Sequence, residues 1–206
     1  GADSSVPDRS GSYQNVELEG GTTCAVDGSA SGECWGDTGQ GKGDIPSGDY
    51  LQIVPGGFRA CGIKTDNSTS CWSDLSDRVG GAPSAGFQTI DTASDVTCGI
   101  AMNGAIACWG TGTGEIMNNV PTGQNHKAVS LDWNNACALT TSGNVKCWGD
   151  DNDGETANQS GPYIDIGVGF NTSCAIRGNG SIHCWGSDDN NKISGIPSGN
   201  NFVSVS

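Results

Sequence analysis

The chain has 206 residues, of which 34 are glycine and only 34% are hydrophobic, with ten cysteines and a formal net charge of −14. That length supports one domain with a core, and the glycine calls for many tight turns. The charge excludes nucleic acid and anionic membrane surfaces as partners and leaves cationic or neutral ones. No apolar run approaches the length of a membrane span and no export leader stands at the N-terminus, so an exported chain would already have lost its signal.

The chain opens on a polar arm, 1–11, followed by a single repeat domain, 12–206. Its cysteines fall in five pairs, Cys24 with Cys34, Cys61 with Cys71, Cys98 with Cys108, Cys137 with Cys147 and Cys174 with Cys184, each ten residues apart. Structural zinc uses ligands two to four residues apart, so this spacing speaks against zinc. The first cysteine recurs after 37, 37, 39 and 37 residues, a period that belongs to propellers and solenoids.

Each copy starts with a proline (Pro7, Pro46, Pro83, Pro121, Pro162) and then a short strand. An aromatic or histidine (Tyr13, Tyr50, Phe87, His126, Tyr163) stands three residues ahead of an aliphatic (Val16, Ile53, Ile90, Val129, Ile166). A hairpin follows in each copy, at about 22–36, 59–73, 96–110, 135–149 and 172–186. Its midpoint (Ser29, Asp66, Asn103, Ser142, Asn179) predicts a three-residue loop that sets the paired cysteines opposite one another. Five disulfides, each inside one hairpin, are expected. Gly104, Gly143, Gly180 and Asn67 suit the left-handed third loop position, whereas Ala30 does not, so the first copy is expected to turn differently.

Both faces of the hairpin are apolar or small. The cysteine face carries Val26, Ile63, Ile100, Leu139 and Ile176, and the opposite face carries Trp35, Trp72, Trp109, Trp148 and Trp185. A sheet buried on both faces is sandwiched between neighbours, which predicts an all-β propeller of about five short antiparallel blades of three strands, one disulfide per blade; an open β-solenoid is the alternative. After Pro197, Phe202 and Val205 repeat the aromatic and aliphatic of the first strand, giving a surplus strand, 202–206.

The first strand, the cysteine followed by a small residue and an aliphatic, and Cys-Trp-Gly at 34–36, 108–110, 147–149 and 184–186 (Cys71-Trp72-Ser73 in the second copy) resemble the repeats of the regulator of chromosome condensation superfamily. They are most similar to the short-bladed form in the propeller-type β-lactamase inhibitor protein and related secreted bacterial proteins. Propellers of that superfamily commonly have seven blades. The resemblance implies a non-enzymatic role in which loops on one face bind a protein partner.

Little in the chain suggests chemistry. His126 and His183 occupy ordinary repeat positions, and no nucleophile, phosphate-loop or metal-helix motif is present. The acidic loop Asp150, Asp151, Asn152, Asp153, Gly154, Glu155 fails the register of a calcium loop, because Gly149 and Ser160 fall where the first and last ligands belong. No cofactor is expected; a divalent cation on the acidic rim of Asp37, Asp74, Asp77, Asp188 and Asp189 is the alternative to a solvated rim. Asn67, Asn158, Asn171 and Asn179 begin glycosylation sequons, about the number that chance supplies. Trp133 is expected to fill a gap between blades, the alternative being an exposed anchor for a partner or sugar.

The expected function is that of a non-catalytic secreted interaction or structural module with a protein or glycan partner, copies of itself included, and neither nucleic-acid binding nor membrane insertion. Two alternatives stand beside it. One is a filament subunit assembled head-to-tail through exchange of the terminal strand bearing Phe202 and Val205. The other is lectin-like glycan binding by rim loops.

Overall fold

The computed structural model describes residues 12–76, 80–111 and 115–206; the arm at 1–11, with Pro7, and Asp77 lie outside the described residues. Five three-stranded antiparallel sheets follow one another along the chain. The first blade is β1 (Tyr13–Glu19), β2 (Thr22–Asp27) and β3 (Gly32–Gly36), and the second is β4 (Tyr50–Pro55), β5 (Ala60–Lys64) and β6 (Thr69–Trp72). The third is β7 (Phe87–Ala93), β8 (Val96–Ala101) and β9 (Ile106–Gly110), and the fourth is β10 (His126–Asp132), β11 (Asn135–Thr140) and β12 (Val145–Gly149). The fifth is β13 (Tyr163–Gly169), β14 (Thr172–Arg177) and β15 (Ile182–Gly186).

Every hairpin sets its two cysteines directly opposite, with Cα atoms 4.0–4.1 Å apart, and all five disulfides form within their own blades. Cys24 is bonded to Cys34, Cys61 to Cys71, Cys98 to Cys108, Cys137 to Cys147 and Cys174 to Cys184, as the ten-residue spacing predicts. This is the close, non-hydrogen-bonded pairing that a disulfide requires. The bridges differ in what covers them: Cys24 is fully buried while its partner Cys34 is only half-buried, and Cys184, on the last strand of the last blade, is buried.

The first hairpin does not turn differently. Ala30 adopts φ 66° and donates its N–H to Asp27 O at 3.0 Å, just as Asn67 (φ 65°) donates to Lys64 O at 2.8 Å. Asp27 Oδ1 accepts the N–H groups of Ser29 and Ser31 at 2.8 and 3.0 Å. Those bonds offset the cost of a left-handed alanine, about 1–2 kcal/mol.

The three-residue interval in the first strand of each blade has a structural cause. Each of these strands slips register by one residue directly after its aromatic, as between Tyr13 and Asn15 in β1. A simple strand would put positions three apart on opposite faces; the bulge returns them to the same one. Tyr50 and Ile53 thereby join Trp72 in packing on Cys24 and Val26 of the preceding blade, with Cys34 at the edge of the same cluster. The same contact recurs down the chain, with Phe87, Ile90 and Trp109 on Cys61 and Ile63. Tyr163, Ile166 and Trp185 likewise pack on Cys137 and Leu139. Each such aromatic or aliphatic side chain contributes roughly 1.5–3 kcal/mol through burial. The indoles also find acceptors in the connecting loops: Trp72 Nε1 donates to Lys42 O, Trp148 to Ile116 O and Trp185 to Glu155 O, at 2.8–3.0 Å.

The glycine after tryptophan is required by the turn that joins the first two strands of a blade. At Gly110 (φ 134°) and Gly149 (φ 111°) a Cβ would run into the carbonyls of Asp95 and Asn134. The second blade joins Pro55 to Ala60 through four residues instead of two. Ser73 stands there in place of glycine, and its hydroxyl donates to Phe58 O at 2.7 Å or Gln40 O at 3.1 Å.

Residues 202–206 join no sheet, although the sequence predicts a strand there: among the described residues no strand pairs with them, and a side chain, Asp165, holds Val205 N in place of a ladder. They nonetheless occupy the place of a sixth first strand. Phe202 N donates to Gly180 O at 3.1 Å, as His126 N does to Gly104 O (3.1 Å) and Tyr163 N to Gly143 O (2.9 Å).

Candidate interaction surface

The first strands of all five blades, with Val205 and Ser206, surround an axial cavity of about 280 Å³. Neighbouring strands are tied around it by side-chain-to-backbone bonds. Gln52 accepts from Ile90 N and donates to Ile90 O, both at 3.0 Å. Asp91 Oδ2 accepts Leu131 N at 2.7 Å, Ser130 Oγ accepts Val168 N at 3.1 Å, and Asp165 Oδ2 accepts Val205 N at 2.9 Å.

Carboxylates gather at this cavity: Glu17, Glu19, Asp91 and Asp132 all line it. Burial pushes Asp91 up to about 7, against the pull of the Leu131 and Thr92 N–H groups, and the negative charges of Glu17 and Glu19 add to the rise. Asp91 is half-buried and lines the cavity. Glu19 is also raised, by burial first and then by Asp132, with Lys42 opposing. Asp91 and Glu19 therefore hold their protons more tightly than free carboxylates do.

The turns between the first two strands, and the loops that follow the tryptophans, lie at the same end of the blades, since the first and third strands run parallel. Trp133 lies in that turn of the fourth blade and is 64% exposed, so it fills no gap between blades. A two-residue turn carries its second residue's backbone inward to bond with the following loop and leaves the first side chain outside. Asp150 N donates to Asn134 O at 2.9 Å. Phe170 is the equivalent residue of the fifth blade and is 62% exposed. Lys192 Nζ lies 6.0 Å from its ring centroid and donates to Phe170 O at 2.6 Å.

Of the acidic loops, 150–155 is shaped by Glu155, whose buried carboxylate accepts Asn152 N (3.3 Å) and Asp153 N (2.7 Å). Asp37 and Asp74 lie in loops of the first and second blades and Asp188 and Asp189 together in a loop of the fifth, and among the described residues no three His, Cys, Asp or Glu side chains approach closely enough to hold a metal ion. Both histidines are structural. His126 is buried with Nδ1 3.1 Å from Gly104 O, and His183 Nδ1 lies 2.7 Å from Tyr163 Oη while its ring stacks between Tyr163 and Trp185.

Among the sequon asparagines, Asn67 and Asn179 sit at hairpin tips. Asn179 Oδ1 accepts Ser181 N and Oγ, Asn158 Oδ1 accepts Cys147 N, and Asn171 Nδ2 donates to Asp153 Oδ2.

Sequence reasoning missed the buried cations. Arg59 donates through Nη2 to Thr97 Oγ1 (2.6 Å) and Trp109 O (3.2 Å), and burial lowers it to about 10. Lys42 is buried with Nζ 3.3 Å from Gly57 O. Both bind a blade to the turns of a neighbour, and their place in nominal loops gave no sign of it.

The regulator of chromosome condensation (RCC1) repeat model matches residues 127–155 and 163–192. The fourth and fifth blades are RCC1-like repeats, and the five blades together have the propeller fold. Similar solved structures include the ectodomain of the Physcomitrella patens receptor kinase CR4, 25% identical over 85% of this chain and 50% of that one, with a TM-score of 0.69. The ectodomain of the Arabidopsis thaliana receptor kinase ACR4 is 20% identical over 84% and 65% of the two chains, with a TM-score of 0.65. Yeast RCC1 (Prp20), solved bound to Kap60, is 12% identical over 84% and 56%, with a TM-score of 0.70. This RCC1-like chain therefore spans between 50% and 65% of the length of these structures. No curated protein matches it in sequence. Among the described residues, no helix is long and apolar enough to cross a membrane.

Proposed function

We propose that this RCC1-like propeller is a non-catalytic extracellular protein-interaction module. One observation carries the reading: the repeated aromatic, aliphatic, cysteine and tryptophan positions are used up in blade packing, while the turns at one end differ from blade to blade. Gly20-Gly21, Ser94-Asp95, Trp133-Asn134 and Phe170-Asn171 are all two-residue turns at the same place in the blade, and they present different side chains on different backbone conformations. Variable turns on a rigid scaffold are how binding surfaces are made. Five disulfides suit an oxidising compartment, and the likeness to receptor ectodomains agrees. The test is fractionation of producing cells with alkylation before lysis, followed by cross-linking of the native protein on its own cells. Fully oxidised protein outside the cell with a reproducible cross-linked partner supports the reading; reduced protein retained inside overturns it.

A second reading, head-to-tail assembly, is favoured by the first blade. Val16 is 49% and Leu18 72% exposed, whereas Ile53, Ile90, Val129 and Ile166 are at most 8% exposed. Another copy's fifth blade would cover them if 202–206 moved aside. Regular polymers in electron micrographs that vanish on deletion of 197–206 would support assembly, and monomers throughout would remove it.

A further inference from the structure

We propose that the paired turns of the fourth and fifth blades form a docking surface for a lysine- or arginine-bearing segment of a partner protein. The proposal rests on the reading of the chain as an interaction module and names its surface. Trp133 and Phe170, both more than 60% exposed, hold the same position in adjacent turns. Isolated exposed apolar residues are ordinary, but large aromatics at equivalent places on neighbouring blades make a patch.

The loop 150–155 runs between them. Asp150 N is bonded to Asn134 O beside Trp133, and Asp153 Oδ2 is bonded to Asn171 Nδ2 beside Phe170. That loop carries Asp150, Asp151 and Asp153 from the one turn to the other, and none of the three pairs with a lysine or arginine among the described residues.

An aromatic face attracts an ammonium or guanidinium group through its quadrupole, and adjacent carboxylates strengthen the preference for a cation. The structure already contains one such contact in Lys192, whose ammonium lies by the Phe170 ring and on its carbonyl oxygen. A partner's lysine or arginine would meet the same chemistry at Trp133, where no lysine or arginine among the described residues lies over the ring. The net charge of −14 draws such a segment in from a distance, and the two rings give it a particular place to stop.

The test uses oxidised, full-length protein with octalysine and octaarginine peptides as probes, octaglutamate and a neutral glycan panel as controls, and both calorimetry and amide chemical shifts as readouts. Trp133→Ala with Phe170→Ala removes two exposed rings and no hydrogen bond, and about a tenfold loss of affinity is expected. Asp150→Asn, whose side chain makes no hydrogen bond, is expected to cost about two- to threefold. Met102→Ala, at the opposite end of the blades, should change nothing. Shifts should centre on 132–134, 150–155 and 170–171.

Equal binding by all variants, or shifts spread over every acidic loop, would show only non-specific attraction to a polyanion and overturn the proposal. A neutral glycan bound through Trp133 in preference to the cationic peptides would also overturn it. Should the ring variants still cross-link the native partner on cells, this surface is wrong and the interaction-module reading survives; loss of all cross-linking in the unaltered protein would defeat that reading itself.

Discussion

Phe202 donates its backbone N–H to Gly180 O at 3.1 Å, the bond by which the first strands of the second, fourth and fifth blades attach to the hairpin before them. With Val205 N held by Asp165 Oδ2 and Val205 O lying against Gly167, the segment runs over the cysteine face of the fifth blade, where Ile176 is fully buried. Deleting 202–206 should destabilise the protein by about 2–4 kcal/mol, the burial of one to two aliphatic side chains. Urea unfolding of the oxidised protein measures this. Asp165→Ala should cost about 1 kcal/mol and speed hydrogen exchange at Val205; unchanged exchange would show that the segment is not held there.

Removing a disulfide without burying a polar group isolates the cross-link. Cys98→Ala with Cys108→Ala should cost roughly 2.5–3 kcal/mol, the chain-entropy value for so short a loop. Peptide mapping without reduction should find only the five within-hairpin pairs, from Cys24 with Cys34 to Cys174 with Cys184, and a bridge between hairpins would refute the blade assignment.

Gly149→Ala forces a Cβ onto the Asn134 carbonyl at φ 111°, where an L side chain is strained. A loss of about 2–4 kcal/mol is expected. Ser73→Gly in the second blade, whose turn is longer, should lose about 1 kcal/mol, for its hydroxyl bond alone.

Asp91 gives stability a downward slope with pH. Unfolded, it ionises near 3.8; folded, at about 7, for reasons of burial first and the nearby Glu17 and Glu19 charges next. Between those values the unfolded chain releases a proton that the native state keeps, so stability falls as pH rises from about 4 to about 7 and then levels. In Asp91→Asn this slope should shrink to the part that raised Glu19 contributes, read from urea midpoints taken across the range.

His183 acts in the opposite direction. Burial, and then Arg177, lower it from 6.5, and its Nδ1 accepts the Tyr163 phenol only when unprotonated. The native state disfavours the imidazolium, so its contribution is complete above the ordinary imidazole range and is lost as pH falls through the lowered value. His183→Gln should flatten that acid limb, leaving the Asp91 slope in place.

Much of this fold was legible because its strongest signals are local and repeated. The cysteines ten residues apart fix each hairpin's register, and the two-faced apolar pattern requires a neighbour on either side. Phe202 and Val205 could be placed for the same reason, as copies of Tyr163 and Ile166. The sequence could not say that Ala30 would take the left-handed turn, because the Asp27 side chain that stabilises it acts through bonds no composition reveals.

The sequence by itself determined the blade: its strands, its disulfide, and which residues face which neighbour, since hairpin registry and side-chain alternation are short-range properties of the chain. Only the tertiary structure decided what the blades jointly present. The carboxylates raised around the axis, and the neighbouring turns that present Trp133 and Phe170 to solvent, depend on residues about one repeat or more apart being brought together, and distance along the chain carries no record of that.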